Sequence, residues 1–281
     1  MKAIEIQNLT KSYGDFTLKN ISFSLPMGTI MGLVGENGAG KSTTIKLIMD
    51  TVTADCGTIS VLGMSNKSKE FTALKQDIGV VLDEAYFPEV LNAKNINSVM
   101  RASYQNWNED VYFSYIKRFS LPLGKQFKDY SRGMKMKLSI AVALSHNPKL
   151  LILDEATSGL DPMVRDEILD VFNDFTRDET HSILLSSHIV SDLEKICDYI
   201  TFIHKGSLML CEEKDVIIDK YAVVKLSNND FGTVPTDAIV RKKKTSFGYD
   251  ALVLKEKINA SLKTEHTRLE DIIIFMAKEE K

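Results

Sequence analysis

The sequence predicts an α/β fold: a mainly parallel core sheet, preceded by an antiparallel β subdomain, interrupted by a helical subdomain and followed by a small α+β C-terminal extension. Three observations predict it. Short, nearly continuous apolar runs at residues 30–34, 78–82, 150–153, 182–185 and 199–203 have the character of strands buried on both faces, separated by stretches long enough for helical crossovers. Between about 85 and 147 such runs vanish and helical periodicity takes over. Residues 3–25, by contrast, alternate apolar and polar.

Taken in order, residues 3–25 form two alternating runs separated by Tyr13-Gly14-Asp15, an antiparallel hairpin or meander. Pro26-Met27-Gly28 turns the chain into the strand at 30–34, which runs into a glycine-rich loop and a helix carrying Ile45, Ile48 and Met49 at helical spacing. Residues 57–63 are a short strand bounded by glycines and 78–82 another; helical segments between strands imply a parallel sheet. In the insert, Tyr104, Trp107, Tyr112, Phe113, Tyr115 and Phe119 read as its core. Its last helix starts near Ser131, presents Met134, Leu138, Ala141 and Val142 on one face, and ends at His146-Asn147-Pro148. The strand at 150–153 delivers Asp154-Glu155, and Asp161-Pro162 opens a helix as cap and first-turn proline, with Ile168, Phe172 and Phe175 inward. Residues 182–185 end at Ser186-Ser187-His188, a helix with Ile189, Leu193 and Ile196 follows, and 199–203 is the last core strand. Beyond about 211, residues 221–226 alternate, the basic run 241–244 reads as a solvated loop, and 268–281 as a terminal helix.

With 281 residues, 44% of them apolar, the chain accommodates a domain of residues 1–212 and an extension of 213–281. A net charge of −3 puts no basic field over the molecule, so no nucleic-acid partner is expected. The three cysteines, Cys56, Cys197 and Cys211, are odd in number and lack metal spacing, as thiols in a reducing cytosol would. The N-terminus carries no apolar signal segment, and nowhere do eighteen apolar residues run together. Any membrane role therefore comes through a partner.

Two constellations carry chemistry. Gly35, Gly40, Lys41 and Ser42 fit G-x-x-x-x-G-K-S/T, a loop whose backbone N–H groups turn inward on a nucleotide phosphate; Asn37, Gly38, Ala39 and Thr43 belong to the same cradle. Lys41 supplies a point charge for the β- and γ-phosphates, Ser42 a hydroxyl for Mg²⁺, and the helix that opens there its positive dipole end. Asp154 and Glu155, at the carboxyl end of a parallel strand, put one carboxylate where Mg²⁺ can be held through water and the next where an attacking water can give up its proton.

Residues 35–42, Tyr130-Ser131-Arg132-Gly133-Met134, residues 150–155, Ser158-Gly159-Leu160-Asp161 and His188 together resemble the ATP-binding cassette (ABC) ATPases, a P-loop NTPase family, over about residues 1–212. The resemblance implies a head-to-tail dimer sandwiching two ATP molecules with Mg²⁺, each held by the phosphate loop of one subunit and the signature helix, through Ser131 and Gly133, of the other. It further implies that Tyr13 stacks on adenine, His188 contacts the γ-phosphate in catalysis with Glu155, and Asp161 couples the two sites. From the residues alone Ser131 is also a helix cap. Arg132 and Met134 depart from the family's glycine and glutamine. Asp83 stands where the family carries a metal-contacting glutamine: as a hard oxygen it is a candidate Mg²⁺ ligand, and as a strand-ending residue it is equally a turn cap. His181 and His204 read as structural.

By resemblance the chain is expected to be the ATPase subunit of a membrane transporter, an exporter in the manner of bacterial cassettes with an extension of this size. Its partners would be separate transmembrane permease subunits and a second nucleotide-binding subunit, identical or not, at the cytoplasmic face of the membrane. The insert would carry the groove for the permease, near Tyr86 and Phe87. A competing class is a soluble ABC-type switch acting on a macromolecular assembly. A regulatory module that binds ATP without hydrolysing it is disfavoured by Glu155 and His188.

Overall fold

The computed structural model describes residues 1–83, 87–227, 232, 234–259 and 262–278. The alternating N-terminal runs are β1 (Lys2–Tyr13) and β2 (Phe16–Pro26), an antiparallel hairpin in register from Lys2↔Pro26 to Tyr13↔Phe16. β3 (Ile30–Val34) is wholly buried and leads to α1 (Lys41–Ile48). β4 (Cys56–Val61) and β5 (Met64–Ser65) follow, then a single helical turn, α2 (Phe71–Leu74), and β6 (Ile78–Val81). The insert holds α3 (Ala93–Ser103), α4 (Glu109–Arg118) and α5 (Arg132–Leu144), the first capped by Asn92, whose side chain accepts from the Asn95 N–H. The rest alternates: β7 (Leu150–Asp154), α6 (Pro162–Phe175), β8 (Ser182–Ser187), α7 (Val190–Ile196), β9 (Tyr199–His204) and β10 (Ser207–Glu213).

These strands make one ten-stranded sheet in the order β5-β4-β1-β2-β10-β9-β3-β8-β7-β6. The stretch from β9 to β6 is parallel throughout, and its side chains divide by the period of two. Met31, Leu33, Leu150, Ile152 and Leu184 face Ile45, Leu47 and Ile48 of α1 and the apolar side of the N-terminal strands. Ile30, Val34, Leu151, Leu153, Ile183 and Leu185 face the opposite way, into a core filled by α5, α6, α7 and the insert. Burial on both faces is why these strands lack polar alternation.

Two expectations about this sheet need correction. The strand at 56–61 does not join the parallel stack: β4 pairs antiparallel with β1, extending the N-terminal layer. Nor is β9 the last core strand, because β10 folds back antiparallel on it and meets β2 at Ser207↔Lys19, joining the two parts of the sheet. Several insert aromatics are core, as expected: Tyr112 and Phe119 are buried, and the Tyr112 hydroxyl donates to the Ala93 carbonyl at 2.9 Å. Tyr86 lies outside the described residues, and Phe87 is half-buried, edge-on to Phe127 at 5.5 Å.

After α8 (Lys214–Lys220), β11 (Tyr221–Leu226), β12 (Ile239–Thr245) and β13 (Gly248–Leu254) form an antiparallel sheet in the order β11-β13-β12. The basic run is therefore an edge strand rather than a loop; Arg241–Lys244 face solvent or half-face it. α9 (Leu269–Ala277) packs on α7, burying Leu269, Ile272, Ile273 and Met276 in the same core as Leu193 and Ile196. All three cysteines are free, and complete burial pushes the Cys197 thiol far above its ordinary range. No helix among the described residues is long and apolar enough to cross a membrane.

Candidate functional site

β3 ends at Val34, and the next six residues turn the chain through a glycine-rich loop into α1, whose N-cap is Gly40 at φ 116°. Two of the glycines are required for different reasons. A Cβ on Gly35 would sit 2.4 Å from the Ile203 carbonyl oxygen, so the loop passes too close to β9 for any side chain. Gly38, at φ 82° with open space around it, is needed for its left-handed backbone. The first-turn N–H groups of α1 have no partners inside the helix and are presented to this loop, the arrangement that binds anions. Asn37 and Ser42 are exposed there, Thr43 half-buried, and Ala39 buried beneath.

Lys41 is buried, its ammonium donating to the Gly35 carbonyl at 2.7 Å and to Glu36 O at 3.4 Å. It also lies 3.2 Å from Glu155 Oε1, an ion pair outside hydrogen-bond geometry, with only 6% and 12% of the two side chains exposed. The phosphate loop and the paired carboxylates thus meet directly. Glu155 takes a left-handed backbone, φ 53°, immediately beyond β7, and its N–H donates to Ser186 O at 3.0 Å on β8. Its Oε2 is 2.7 Å from His188 Nδ1. Paired with a carboxylate, an acceptor only, that nitrogen carries the hydrogen.

Asp154, one residue earlier, is buried, and among the described residues its Oδ1 has no hydrogen-bond partner; nor do the hydroxyls of Thr157 and Ser186. Ser186 is the strand neighbour of Asp154. An unpartnered buried carboxylate oxygen and the exposed Ser42 hydroxyl are hard donors that fit Mg²⁺, an ion which keeps most of its shell for water and substrate phosphate. Among the described residues no three His, Cys, Asp or Glu side chains form a protein cage for a metal.

A second group gathers at the N-termini of α5 and α6. Ser131 Oγ caps α5, accepting from the Met134 N–H at 3.3 Å, and Asp161 Oδ1 caps α6, accepting from the Val164 N–H at 3.1 Å. Gly133 faces Val164: a Cβ there would meet Cγ1 at 3.6 Å, an ordinary contact, so the fold itself does not require glycine at this position. Arg132 reaches Asp83, Nη2 to Oδ1 3.1 Å, and its guanidinium covers Gly159. Among the described residues neither Ser131 nor Asp161 hydrogen-bonds the phosphate loop of its own chain. Tyr13, 43% exposed at the end of β1, stands opposite Phe16, whose ring lies 3.1 Å from a Cβ built on Gly40. Two partners were not read from sequence: Ser186, whose signal is a hydroxyl ending an otherwise apolar strand, and Arg132 as the holder of Asp83, for which no local signal exists.

Comparison with known proteins is consistent with this geometry. Residues 18–158 match the ABC transporter family. The chain is 35% identical over 215 residues to the lantibiotic transport ATP-binding protein SrtF of Streptococcus pyogenes, covering 75% of this chain and 91% of that protein. It is 30% identical over 277 residues to the ABC transporter ATP-binding protein MJ1023 of Methanocaldococcus jannaschii, covering 96% and 98%, so that likeness includes the C-terminal region. A solved ATP-binding subunit of an ABC transporter, 28% identical, superposes with a TM-score of 0.69 over 76% of this chain and 91% of its own. With a phosphate loop, paired carboxylates and a capped signature helix set on this sheet, the chain belongs to the ABC transporter family of P-loop ATPases.

Proposed function

We propose that the protein is the ATP-hydrolysing subunit of a membrane exporter, closing as a dimer on ATP and driving separate transmembrane subunits from the cytoplasmic face of the membrane. The observation that carries this reading is the Glu155 carboxylate held between Lys41 Nζ at 3.2 Å and His188 Nδ1 at 2.7 Å. That position suits a base acting beside a phosphate: Glu155 takes the proton of the attacking water, Lys41 neutralises the β/γ-phosphates, and His188 orients the carboxylate and reaches the γ-phosphate. Ser42 and Asp154 would hold Mg²⁺, which would supply positive charge to offset that of the phosphates. Tyr13 stacks on the adenine, and Gly35, Asn37, Gly38, Ala39, Gly40 and Thr43 line the cradle.

Ser131 and Gly133 of a second subunit complete each site, with Asp161 linking the two. In this reading residues 1–212 are the cassette, about 85–147 its insert facing the permease, and 213–281 an appended unit. Likeness to a lantibiotic transport protein supports transport. The test is affinity purification of the wild type and of Glu155→Gln from detergent-solubilised membranes with ATP. A co-purifying polytopic permease and an ATP-dependent dimer of the variant are expected. A soluble assembly in place of the permease, with ATPase activity intact, would replace transport by the switch reading.

A further inference from the structure

Five lysines from three separate parts of the chain line one cavity of about 650 Å³: Lys205 in the turn between β9 and β10, Lys242, Lys243 and Lys244 on β12, and Lys278 just after α9. The carboxylate that shares this lining, Glu36, lies 3.1 Å from His204 Nδ1. Among the described residues no carboxylate pairs with Lys243, Lys244 or Lys278. Lysines on an edge strand are a common guard against strand pairing, and β12 is an edge. That accounts for β12 alone. It does not account for Lys205 and Lys278, which come from other elements and converge on the same space. In a chain of net charge −3, bringing the ammonium groups of Lys243, Lys244 and Lys278 to one concavity focuses a positive potential within it.

The volume falls within the roughly 300–1,000 Å³ of small-molecule sites. The donors are ammonium groups, compact point charges that suit phosphate oxygens without the fork geometry of arginine. Lining residue Glu36 belongs to the phosphate loop, and the turn carrying Lys205 is tied to that loop, Gly206 N donating to Ala39 O at 3.0 Å. The cavity is nevertheless separate from the cradle, since the Lys41 ammonium points to Gly35 O and Glu155, and Lys41 is not part of its lining.

We propose that the cavity between β12, the end of α9 and the β9–β10 turn is a second anion site, which takes a compact ligand bearing several phosphate groups. The shared chemistry is clustered phosphate, and its source is either a soluble polyphosphate or the headgroups of an anionic lipid surface. The test uses the full-length chain carrying Lys41→Ala, which silences the phosphate loop. Tripolyphosphate is titrated calorimetrically at 50 and 300 mM salt, and flotation is measured with vesicles of phosphatidylglycerol and phosphatidylcholine in a 3:7 ratio. One or both probes are expected to bind, more weakly at the higher salt. Adding Lys243→Gln, Lys244→Gln and Lys278→Gln is expected to weaken that binding at least tenfold, and Lys278→Gln alone to weaken it measurably should the combined variant fold poorly. Tripolyphosphate binding identifies a soluble ligand and vesicle binding alone a lipid one. The absence of binding to either probe, or binding unchanged by the glutamine substitutions, overturns the proposal.

Discussion

Arg132 holds Asp83 through an ion pair of 3.1 Å, and these are two of the positions at which the chain departs from its family's pattern. Each places a charge where a neutral residue is usual, and each charge neutralises the other. Both side chains are about half exposed, 55% and 52%, so the pair is worth no more than about 1 kcal/mol and can open readily. Because the carboxylate is engaged by Arg132, Asp83→Asn is expected to leave the Mg²⁺ concentration for half-maximal ATPase activity within about twofold of wild type. A Mg²⁺ titration of activity checks this; a larger shift would return Asp83 to the metal.

Lys41 and Glu155 should separate binding from turnover. Lys41→Ala removes the buried ammonium proposed to serve the phosphates, and a fluorescent ATP analogue is expected to show binding reduced to near background. Glu155→Gln keeps the shape but not the base, so ATP binding should persist while turnover falls at least about a hundredfold. Full activity in the glutamine variant would place the base elsewhere.

Gly133→Ala distinguishes a glycine needed for folding from one needed for a ligand. The added methyl meets Val164 at an ordinary distance, and alanine favours the helix by up to about 1 kcal/mol, so thermal stability should hold or rise. ATPase activity should fall if, as proposed, Gly133 lets the helix end come close to the phosphate bound by a second subunit. Melting and activity measured on the same sample decide it. Loss of both together would make the glycine structural.

His146 introduces a pH dependence remote from the site. It is buried, stacked on Tyr104 at 4.0 Å, with Nδ1 donating to Gln76 O at 2.9 Å and Nε2 without a hydrogen-bond partner among the described residues. Burial lowers its pKa, outweighing the Gln76 hydrogen bond that raises it. The unfolded chain therefore takes up a proton before the folded one does. Its stabilising contribution is complete above the unfolded value near 6.5 and is lost as pH falls from there toward the lower folded value. Denaturant midpoints at pH 7.5 and 5.5 should fall more steeply for wild type than for His146→Phe, the difference not exceeding about 1.4 kcal/mol per pH unit. Equal slopes would remove His146 as the cause.

The parts legible in the sequence are those fixed by neighbouring residues. The spacing of Gly35, Gly40, Lys41 and Ser42 specifies a turn and a helix start, and Asp161-Pro162 specifies a cap, because both act within one turn of backbone. What the sequence leaves open depends on partners far along the chain. A run such as 57–63 declares itself a strand, but nothing in its pattern says whether β1 or the parallel stack will accept it. Arg241–Lys244 hide a strand because an edge position next to solvent tolerates charge at successive residues. The pairing of Lys41 with Glu155, and of Asp83 with Arg132, follows only once β7 and α5 have been placed.

The position of β10 between β2 and β9 sets a timetable for synthesis. The N-terminal hairpin leaves the ribosome first, yet the strand that joins it to the parallel core begins at Ser207. About 180 residues separate the two, on the order of ten to forty seconds of translation at roughly 5–20 residues per second. Throughout that interval the outer edge of β2 is open to pairing with another chain. The nascent protein is thus most prone to misassembly until Ser207 has been added, and a fragment that stops short of Ser207 would carry that open edge permanently.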